Sequence, residues 1–184
     1  MKHVLVITGA AGSGKTTVSR YLNEQFQFPR VITHTTRRPR HGEVDGRDYY
    51  FETRESMAKL HLLEQVEYDH HLYGSSYEAL QRAWEKHDMA TIVLDTKGAQ
   101  TYCERLGEQA VVVFLTVSKQ RSLAKRLAKR GDLKTAVKQR IASAEYHRDL
   151  TLPVELRDTA QIIVNDDWEN TKNQLNRLVA SLAD

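Results

Sequence analysis

The sequence of 184 residues predicts an α/β protein with a mostly parallel central sheet and helices on both of its faces. Short apolar runs alternate with longer stretches that carry apolar residues at three- and four-residue spacing. This is the pattern of buried strands between amphipathic helices. Gly and Pro contribute 9 and 3 residues, too few for a collagenous or linker-dominated chain. We therefore expect one domain with a sizeable core.

The alternation also gives approximate bounds for the elements. Strands are predicted over residues 3–8, 89–94, 110–117 and 161–165. Helices are predicted over residues 15–26, 77–87, 119–130, 135–147 and 168–182. Ser75-Ser76-Tyr77-Glu78 has the spacing of a capping box before the second helix, and Gly131 is expected to end the third. Residues 30–66 do not fit the alternation and predict an insert of mixed structure.

Composition argues against several classes of protein. The longest wholly apolar run covers residues 110–115, far short of the roughly 20 residues that a membrane-spanning helix needs. The N-terminal apolar run is too short for a signal peptide. Cys103 is the single cysteine, so no intrachain disulfide can form, and a packing role is expected for it. The eight histidines show no convincing metal-ligand spacing. We expect a cytoplasmic protein.

Positive charge is concentrated in one part of the chain. The formal net charge of +3 is too small to imply nucleic-acid binding. Residues 119–148, however, contain ten Lys and Arg side chains, opposed by Asp132 and Glu145 alone. Such a run either forms a solvated helix face or faces an anionic ligand. It lacks the interleaved aromatic residues on which nucleic-acid bases stack.

A phosphate-binding motif follows the first predicted strand. Gly9-Ala10-Ala11-Gly12-Ser13-Gly14-Lys15-Thr16 matches the pattern GxxxxGK followed by Ser or Thr. Its small residues let backbone N–H groups surround a phosphate at a helix N-terminus. Lys15 can reach the β and γ phosphates, and the Thr16 hydroxyl can coordinate Mg²⁺. The motif predicts a P-loop NTPase-type three-layer fold that binds ATP through residues 9–16 and Thr17.

The insert carries a more specific pattern. Thr33-His34-Thr35-Thr36-Arg37-Arg38-Pro39-Arg40 is followed by Gly42-Glu43-Val44-Asp45-Gly46-Arg47-Asp48-Tyr49-Tyr50-Phe51. Here the sequence resembles the guanylate kinase family. The similarity continues in family order through Glu64, Tyr73-Gly74-Ser75, Asp95-Thr96-Lys97-Gly98, Arg126-Leu127, Arg130-Gly131, Arg140 and Ile163-Val164-Asn165-Asp166-Asp167. It thus covers nearly the whole chain.

The resemblance implies one guanylate kinase-like domain that transfers a phosphoryl group reversibly from ATP to GMP or dGMP, with Mg²⁺. The implied core covers about residues 1–30, 77–118 and 150–184, the GMP-binding insert about 31–76, and a helical lid about 119–149. ATP and GMP are the expected partners, without nucleic acid or membrane. A monomer or weak homo-oligomer is expected.

The resemblance also assigns residues to the acceptor. The implied GMP-binding residues are Thr33, Arg37, Arg40, Tyr49, Glu64, Tyr73, Ser75 and Asp95. Two arginines and two tyrosine hydroxyls can together donate to one phosphate dianion. A carboxylate at position 64 can accept both the N1–H and the N2 amino group of guanine, whereas adenine presents an acceptor at N1. Ser75 and Thr33 would donate to the guanine O6.

The remaining implied roles concern ATP and the transfer step. The implied catalytic residues are Lys15, Arg126, Arg130 and Arg140, the last three on the lid. They would neutralise charge on the transferring group, and lid closure would exclude water. Asn165 would contact the adenine of ATP. Thr16 and Asp95 would support Mg²⁺.

Three positions depart from the family pattern. These are Val93, where the family has an acid two residues before Asp95, Thr33, where serine is usual, and the pair Ala10-Ala11, which replaces proline and serine and counts as one site. These departures leave two alternatives open: a related kinase acting on another small phosphate ester, and a non-catalytic interaction module. Glu64 with Ser75 argues against the first alternative, and the intact Gly14-Lys15-Thr16 argues against the second.

Overall fold

The computed structural model describes residues 1–68, 70–129 and 134–183. In chain order the strands and helices are β1 (His3–Thr8), α1 (Lys15–Phe26), β2 (His34–Thr35), β3 (Tyr50–Phe51), α2 (Arg54–Met57), β4 (Leu62–Tyr68), β5 (His71–Ser76), α3 (Tyr77–Trp84), β6 (Met89–Val93), α4 (Thr96–Leu106), β7 (Ala110–Thr116), α5 (Arg121–Lys129), α6 (Lys134–Ala142), α7 (Ala144–Asp149), β8 (Gln161–Val164) and α8 (Trp168–Ala183). Within these residues, no helix is both long enough and apolar enough to cross a bilayer.

The main sheet is parallel throughout, with the strand order β6-β1-β7-β8. Residues Val4, Leu5, Val6 and Ile7 of the inner strand β1 are each 0% exposed. Their side chains alternate between two core clusters, one formed with α3 and α4 and the other with α1 and α8. A strand covered on both faces reads as a continuous apolar run. The predicted parallel α/β fold with helices on both faces is confirmed.

A smaller mixed sheet lies within residues 34–76, in the order β3-β2-β5-β4. β2 pairs in parallel with β3, and β5 runs antiparallel to both β2 and β4. The register of β4 against β5 shifts between Leu62 and Glu64, so Leu63 is an extra residue on β4. Such a bulge changes the direction in which neighbouring side chains point. This sheet is the mixed structure predicted for the insert.

The helices differ from the predicted ones in two places. The spacing of apolar residues gives no bounds for a helix over residues 96–106, but the structure has α4 there. Residues 135–147 form part of two helices, α6 and α7, rather than one. The Ser143 hydroxyl accepts from the Tyr146 N–H at 3.2 Å and donates to the Arg140 carbonyl at 2.8 Å. These local bonds compete with the helical ladder and begin a new helix.

The predicted capping box at α3 is also wrong in detail. The N-cap of α3 is Ser76, not Ser75, and its hydroxyl accepts from the Ala79 N–H at 3.1 Å. Glu78, the expected reciprocal partner, lies 2.6 Å from the ring nitrogen Nδ1 of His61. Gly131, predicted to end a helix, lies outside the described residues.

The buried cap of α3 gives a stability prediction. Ser76 Oγ also lies 2.8 Å from Nε2 of His34, which is 1% exposed. Ser76→Ala therefore removes a cap and leaves a buried ring nitrogen without its partner, and we expect a loss of about 2–4 kcal/mol in the free energy of unfolding. Ser181→Ala is the matched control, because the exposed Ser181 hydroxyl contacts only the Leu178 carbonyl of its own helix within the described residues. Equal denaturant midpoints for the two variants would contradict the prediction.

Candidate functional site

The phosphate-binding loop connects β1 to α1, as its sequence requires. Gly9, Gly12 and Gly14 have φ angles of 128°, 87° and 105°, values that L side chains rarely adopt. Gly14 is the N-cap of α1 and has no side chain to satisfy the first helical N–H groups. These groups therefore remain available to an anion at the positive end of the helix dipole.

Three neighbouring elements fix the path of this loop. A Cβ atom on Gly9 would lie 2.2 Å from the Leu115 carbonyl oxygen of β7, and one on Gly12 would lie 2.8 Å from the Leu123 carbonyl oxygen of α5. On the other side, Asn165 Nδ2 donates to the Ser13 carbonyl at 2.8 Å. Ala10 packs beneath the loop against a small apolar cluster, while Ala11 packs at its edge. The Ala10-Ala11 departure therefore preserves the backbone cradle.

The side chains of the loop are arranged for phosphate and metal. Lys15 Nζ donates to the Gly9 carbonyl at 2.5 Å and to the Ala10 carbonyl at 3.1 Å, so it curls over the loop. The buried hydroxyls of Thr8 and Ser13 have no hydrogen-bond partner among the described residues. Thr16 and Thr17 are exposed on the first turn of α1. The loop thus combines the N–H groups of the first helical turn, which have no side-chain cap, with the exposed Thr16 side chain.

Asn165 supports the loop rather than opening towards solvent. Its side chain is buried, donates to Ser13, and accepts from the Thr171 hydroxyl at 2.9 Å. Its carbonyl accepts from Arg126 Nη2 at 2.7 Å. The contact with adenine stays a prediction, and the observed role of Asn165 is to tie the loop to α5 and α8.

Three of the predicted phosphate-binding side chains, Arg37, Tyr49 and Tyr73, lie together, whereas the fourth, Arg40, is exposed. The Arg37 guanidinium lies 5.5 Å from the centre of the Tyr49 ring, which lies 6.2 Å from the Tyr73 ring. Arg37 donates through both terminal nitrogens to Glu43, each at 2.9 Å, and Glu43 also accepts from the Arg40 N–H at 2.7 Å. This hydrogen-bonded contact raises the pKa of Arg37 and lowers that of Glu43. Glu43, which sequence reasoning did not single out, orients the arginine.

A second polar group surrounds Glu64. The bulge in β4 directs Leu63 into the core and leaves Glu64 opposite Ser75 of β5. Ser75 Oγ donates to Glu64 Oε1 at 3.0 Å and accepts from the Tyr102 hydroxyl at 2.8 Å. Burial raises the pKa of the Glu64 carboxyl to about 7, the Ser75 bond opposes the increase, and the Asp95 charge adds to it. Thr33 precedes β2, is half-buried, and accepts from the Tyr50 N–H through its carbonyl at 2.9 Å.

Asp95 is already engaged by the protein. Its Oδ1 accepts from the Gly98 N–H at 2.7 Å as the N-cap of α4, and its Oδ2 accepts from Arg148 Nη2 at 2.8 Å. Arg148 Nε also donates to Asp149 at 2.9 Å. Val93 packs against the core cluster of α1 and α8. Sequence reasoning missed Arg148 because its partner is 53 residues away and only the excess of basic residues in this segment hinted at a role.

The donor set fits Mg²⁺ in part. Among the described residues, no group of three or more His, Cys, Asp or Glu side chains could hold a metal ion. Mg²⁺ commonly keeps several waters and binds through substrate phosphates and one or two protein oxygens. The exposed Thr16 hydroxyl fits that requirement, whereas Asp95 would first have to leave Arg148.

The predicted lid is helical where it is described. Arg126 of α5 reaches the Asn165 carbonyl beside the phosphate-binding loop. Arg140 is exposed on α6, and Arg130 lies outside the described residues. The structure thus brings Arg126 to the loop and leaves Arg140 facing solvent.

The glycine contacts give a prediction about the loop. Gly9→Ala places a Cβ atom against the backbone oxygen of Leu115, which cannot move without shifting β7. We expect a loss of about 3–5 kcal/mol in the free energy of unfolding, from the clash added to the cost of positive φ. Gly42→Ala is the matched control, because Gly42 also has positive φ, at 84°, but nothing lies within 4 Å of its added Cβ. A loss near 1–2 kcal/mol is expected there. Comparable losses for both variants in urea unfolding would refute the steric argument.

Comparisons with known proteins agree with this geometry. The guanylate kinase family model matches residues 1–182. A guanylate kinase of Lactobacillus delbrueckii subsp. bulgaricus is 33% identical over 183 residues, covering 96% of this chain and 87% of the relative. A guanylate kinase of Thermus thermophilus is 36% identical over 148 residues, which cover 78% of this chain and 67% of the relative. A crystal structure of guanylate kinase from Anaplasma phagocytophilum shares the fold, with a TM-score of 0.65 and 24% identity over 98% of this chain and 85% of that one. Since the match runs from the phosphate-binding loop through the last helix, this chain belongs to the guanylate kinase family and is a nucleoside monophosphate kinase.

Proposed function

We propose that this kinase transfers the γ-phosphoryl group of ATP to GMP or dGMP, giving ADP and the guanine nucleoside diphosphate, in a reversible reaction with Mg²⁺. The observation that carries the choice of base is the Glu64 carboxyl, half-buried and held by Ser75. Guanine presents two adjacent donors, N1–H and the N2 amino group, that one carboxylate accepts together. Adenine, with an acceptor at N1, would leave that carboxylate unpaired.

The acceptor phosphate is assigned to the arginine and tyrosine cluster of the insert. Arg37 already has its orientation fixed by Glu43 and lies among aromatic rings. Arg40, Tyr49 and Tyr73 add further donors for the phosphate oxygens. A charged fork of this kind suits a dianion better than a neutral group. Thr33 is assigned to the guanine O6, since the Ser75 proton is directed towards Glu64 in the nucleotide-free protein.

The phosphate-binding loop is assigned to ATP. Backbone N–H groups of residues 9–16 and the Lys15 ammonium would hold the β and γ phosphates, with Thr17 on the same exposed turn. Mg²⁺, when bound through Thr16 and the phosphates, would supply charge neutralisation on the β and γ oxygens. Asp95 is assigned to the acceptor ribose and, through water, to the metal. Phosphoryl transfer depends mainly on such positioning and charge.

The remaining assignments concern the lid, the GMP-binding unit, and the location and oligomeric state of the enzyme. Residues 119–149 would close over ATP and bring Arg126, Arg130 and Arg140 to the transferring group, excluding water. Residues 31–76 would form the GMP-binding unit, carried on a core made from the remaining residues. We expect a cytoplasmic enzyme that works as a monomer or weak homo-oligomer, without nucleic acid or membrane.

The choice of base gives the first kinetic prediction. Glu64→Gln replaces an acceptor with an amide whose N–H₂ faces guanine donors. We expect kcat/KM for GMP to fall by roughly ten- to a thousand-fold, as the loss of charged hydrogen bonds implies. Glu67→Gln is the control, because Glu67 lies on the same strand but pairs with Arg54 at the surface. A coupled ADP-release assay with GMP, dGMP, AMP, CMP and UMP measures both. Equal turnover of AMP and GMP by the native enzyme would exclude the proposed substrate.

The raised pKa of Glu64 gives a pH prediction. The carboxylate, not the neutral acid, accepts both guanine donors, and the carboxyl pKa is about 7 in the nucleotide-free protein. We therefore expect kcat/KM for GMP to fall as the pH decreases through about 7 and to reach a plateau above it. GMP itself titrates near pH 6, so the Glu64→Gln profile serves as the reference that contains only the phosphate ionisation. Parallel profiles for the two proteins would show that Glu64 does not control the acidic limb.

A further inference from the structure

We propose that Tyr102 is a positioning residue for base recognition: through Ser75 it holds the Glu64 carboxylate in the orientation that accepts guanine. This inference rests on the proposed function, because it assigns to Tyr102 a part in the same acceptor site. Nothing in the motifs that identify the family includes this tyrosine. Its role follows from a chain of hydrogen bonds that crosses from the core to the insert.

The chain of hydrogen bonds is short and buried. Tyr102 lies on α4 and belongs to the core cluster between the main sheet and α3, where it is 0% exposed. Its hydroxyl donates to Ser75 Oγ at 2.8 Å, and Ser75, also 0% exposed, donates to Glu64 Oε1 at 3.0 Å. Arg105 of the same helix donates to the Leu62 carbonyl at 2.8 Å, which fixes β4 against α4. The tyrosine therefore reaches the base pocket from a rigid part of the protein.

The direction of the two bonds follows from counting protons. A serine hydroxyl has one proton and two lone pairs. When Tyr102 donates to one lone pair, the serine proton is left to point at Glu64. Burial raises the pKa of the Tyr102 phenol well above its ordinary value, so the phenol stays protonated and remains a donor. The orientation of Ser75 is thus set by Tyr102 and does not depend on pH in the working range.

This orientation has two consequences for Glu64. First, the bond from Ser75 occupies one lone pair of Oε1, which holds the carboxyl plane in place and leaves the other lone pair of Oε1 and those of Oε2 to accept the two guanine donors. Second, it stabilises the ionised form against burial. Without Tyr102, Ser75 could rotate and offer a lone pair to the carboxyl, which favours the neutral acid that cannot accept two donors.

Other groups near Glu64 do not supply this control. From the end of β6, Asp95 raises the Glu64 pKa by its charge, and its own carboxylate is paired with Arg148 of α7. From α3, Tyr77 packs against the core cluster that contains Tyr102, and among the described residues no hydrogen bond joins the two tyrosines. Among the described residues, the hydrogen bonds that reach the Glu64 carboxyl come from the hydroxyl and the backbone N–H of Ser75, and of these two donors only the hydroxyl can be reoriented by Tyr102. The hydrogen bonds from Tyr102 to Ser75 and from Ser75 to Glu64 therefore connect the core to the proposed base pocket.

Tyr102→Phe is the direct test, because it keeps the buried ring and removes only the hydroxyl. We expect the KM for GMP to rise about 3- to 10-fold, as the loss of one buried hydrogen bond implies. The kcat should change less than about twofold, the KM for ATP should stay unchanged, and the acidic limb of kcat/KM for GMP should move to higher pH. Tyr21→Phe is the matched control, since the Tyr21 hydroxyl donates to Asn176 at 2.7 Å, away from the site.

A double-variant comparison separates positioning from a merely structural effect. If Tyr102 acts through Ser75, the KM for GMP of the combined Tyr102→Phe and Ser75→Ala protein should equal that of Ser75→Ala alone. Titration calorimetry with GMP measures the same coupling as binding. Additive effects, an equal loss of ATP and GMP affinity, or an unchanged acidic limb in Tyr102→Phe would each overturn the inference. If native protein turns over GMP normally while Tyr102→Phe matches it, only this inference fails; if native protein does not phosphorylate GMP, the proposed function fails with it.

Discussion

The close contact between the loop after β1 and the end of β7 is the constraint on which the phosphate site depends. The Gly9 backbone lies so near the Leu115 carbonyl that no side chain fits between them. The parallel pairing of β1 with β7 brings these strand ends together, and the buried apolar residues of β1 fix that pairing. The first helix then starts at Lys15 with its N-terminal amides facing the loop. The strand β1 therefore determines both the packing of the core and the geometry of the phosphate-binding loop.

The acceptor side depends on α4 in a comparable way. This helix begins at the Asp95 cap, packs between the main sheet and the insert, and ends at Gly107. Along its length it contacts the core through Tyr102 and the insert through Arg105. The Asp95 carboxylate that caps this helix and the Tyr102 hydroxyl that donates to Ser75 are both held by α4, so the helix sets the distance between the proposed ribose and base contacts. A displaced α4 would move the base pocket and the ribose side together.

Sequence reasoning found the parts of this molecule that are encoded locally. The strand-loop-helix unit of residues 3–26 was predicted with its observed bounds, because a buried strand, a glycine pattern and an amphipathic helix are each short-range signals. The arginine and tyrosine cluster was grouped through the resemblance to the guanylate kinase family, whose motif lies within one insert. In contrast, α4 begins with the polar and Gly residues Thr96, Lys97 and Gly98, and its apolar residues Ala99, Tyr102, Cys103 and Leu106 extend over only two turns, so no bounds were predicted for it. Tyr102 and Arg148 were missed because their partners are 27 and 53 residues away, at distances that only the tertiary fold determines.

The carboxyl groups near the end of β6 explain why an uncharged valine is favourable at position 93. Glu64, Asp95 and Asp149 are three carboxyl groups near the end of β6, and Arg148 pairs with two of them. Asp95 already raises the pKa of Glu64, so another carboxylate on this strand would increase the repulsion and favour a neutral Glu64. Position 93 also faces the apolar cluster of α1 and α8, where a charge would lose solvation. A valine there keeps the Glu64 carboxyl ionisable near neutral pH. In the proposed reaction, Mg²⁺ would then be held by Thr16, the triphosphate and water without a second carboxylate from this strand.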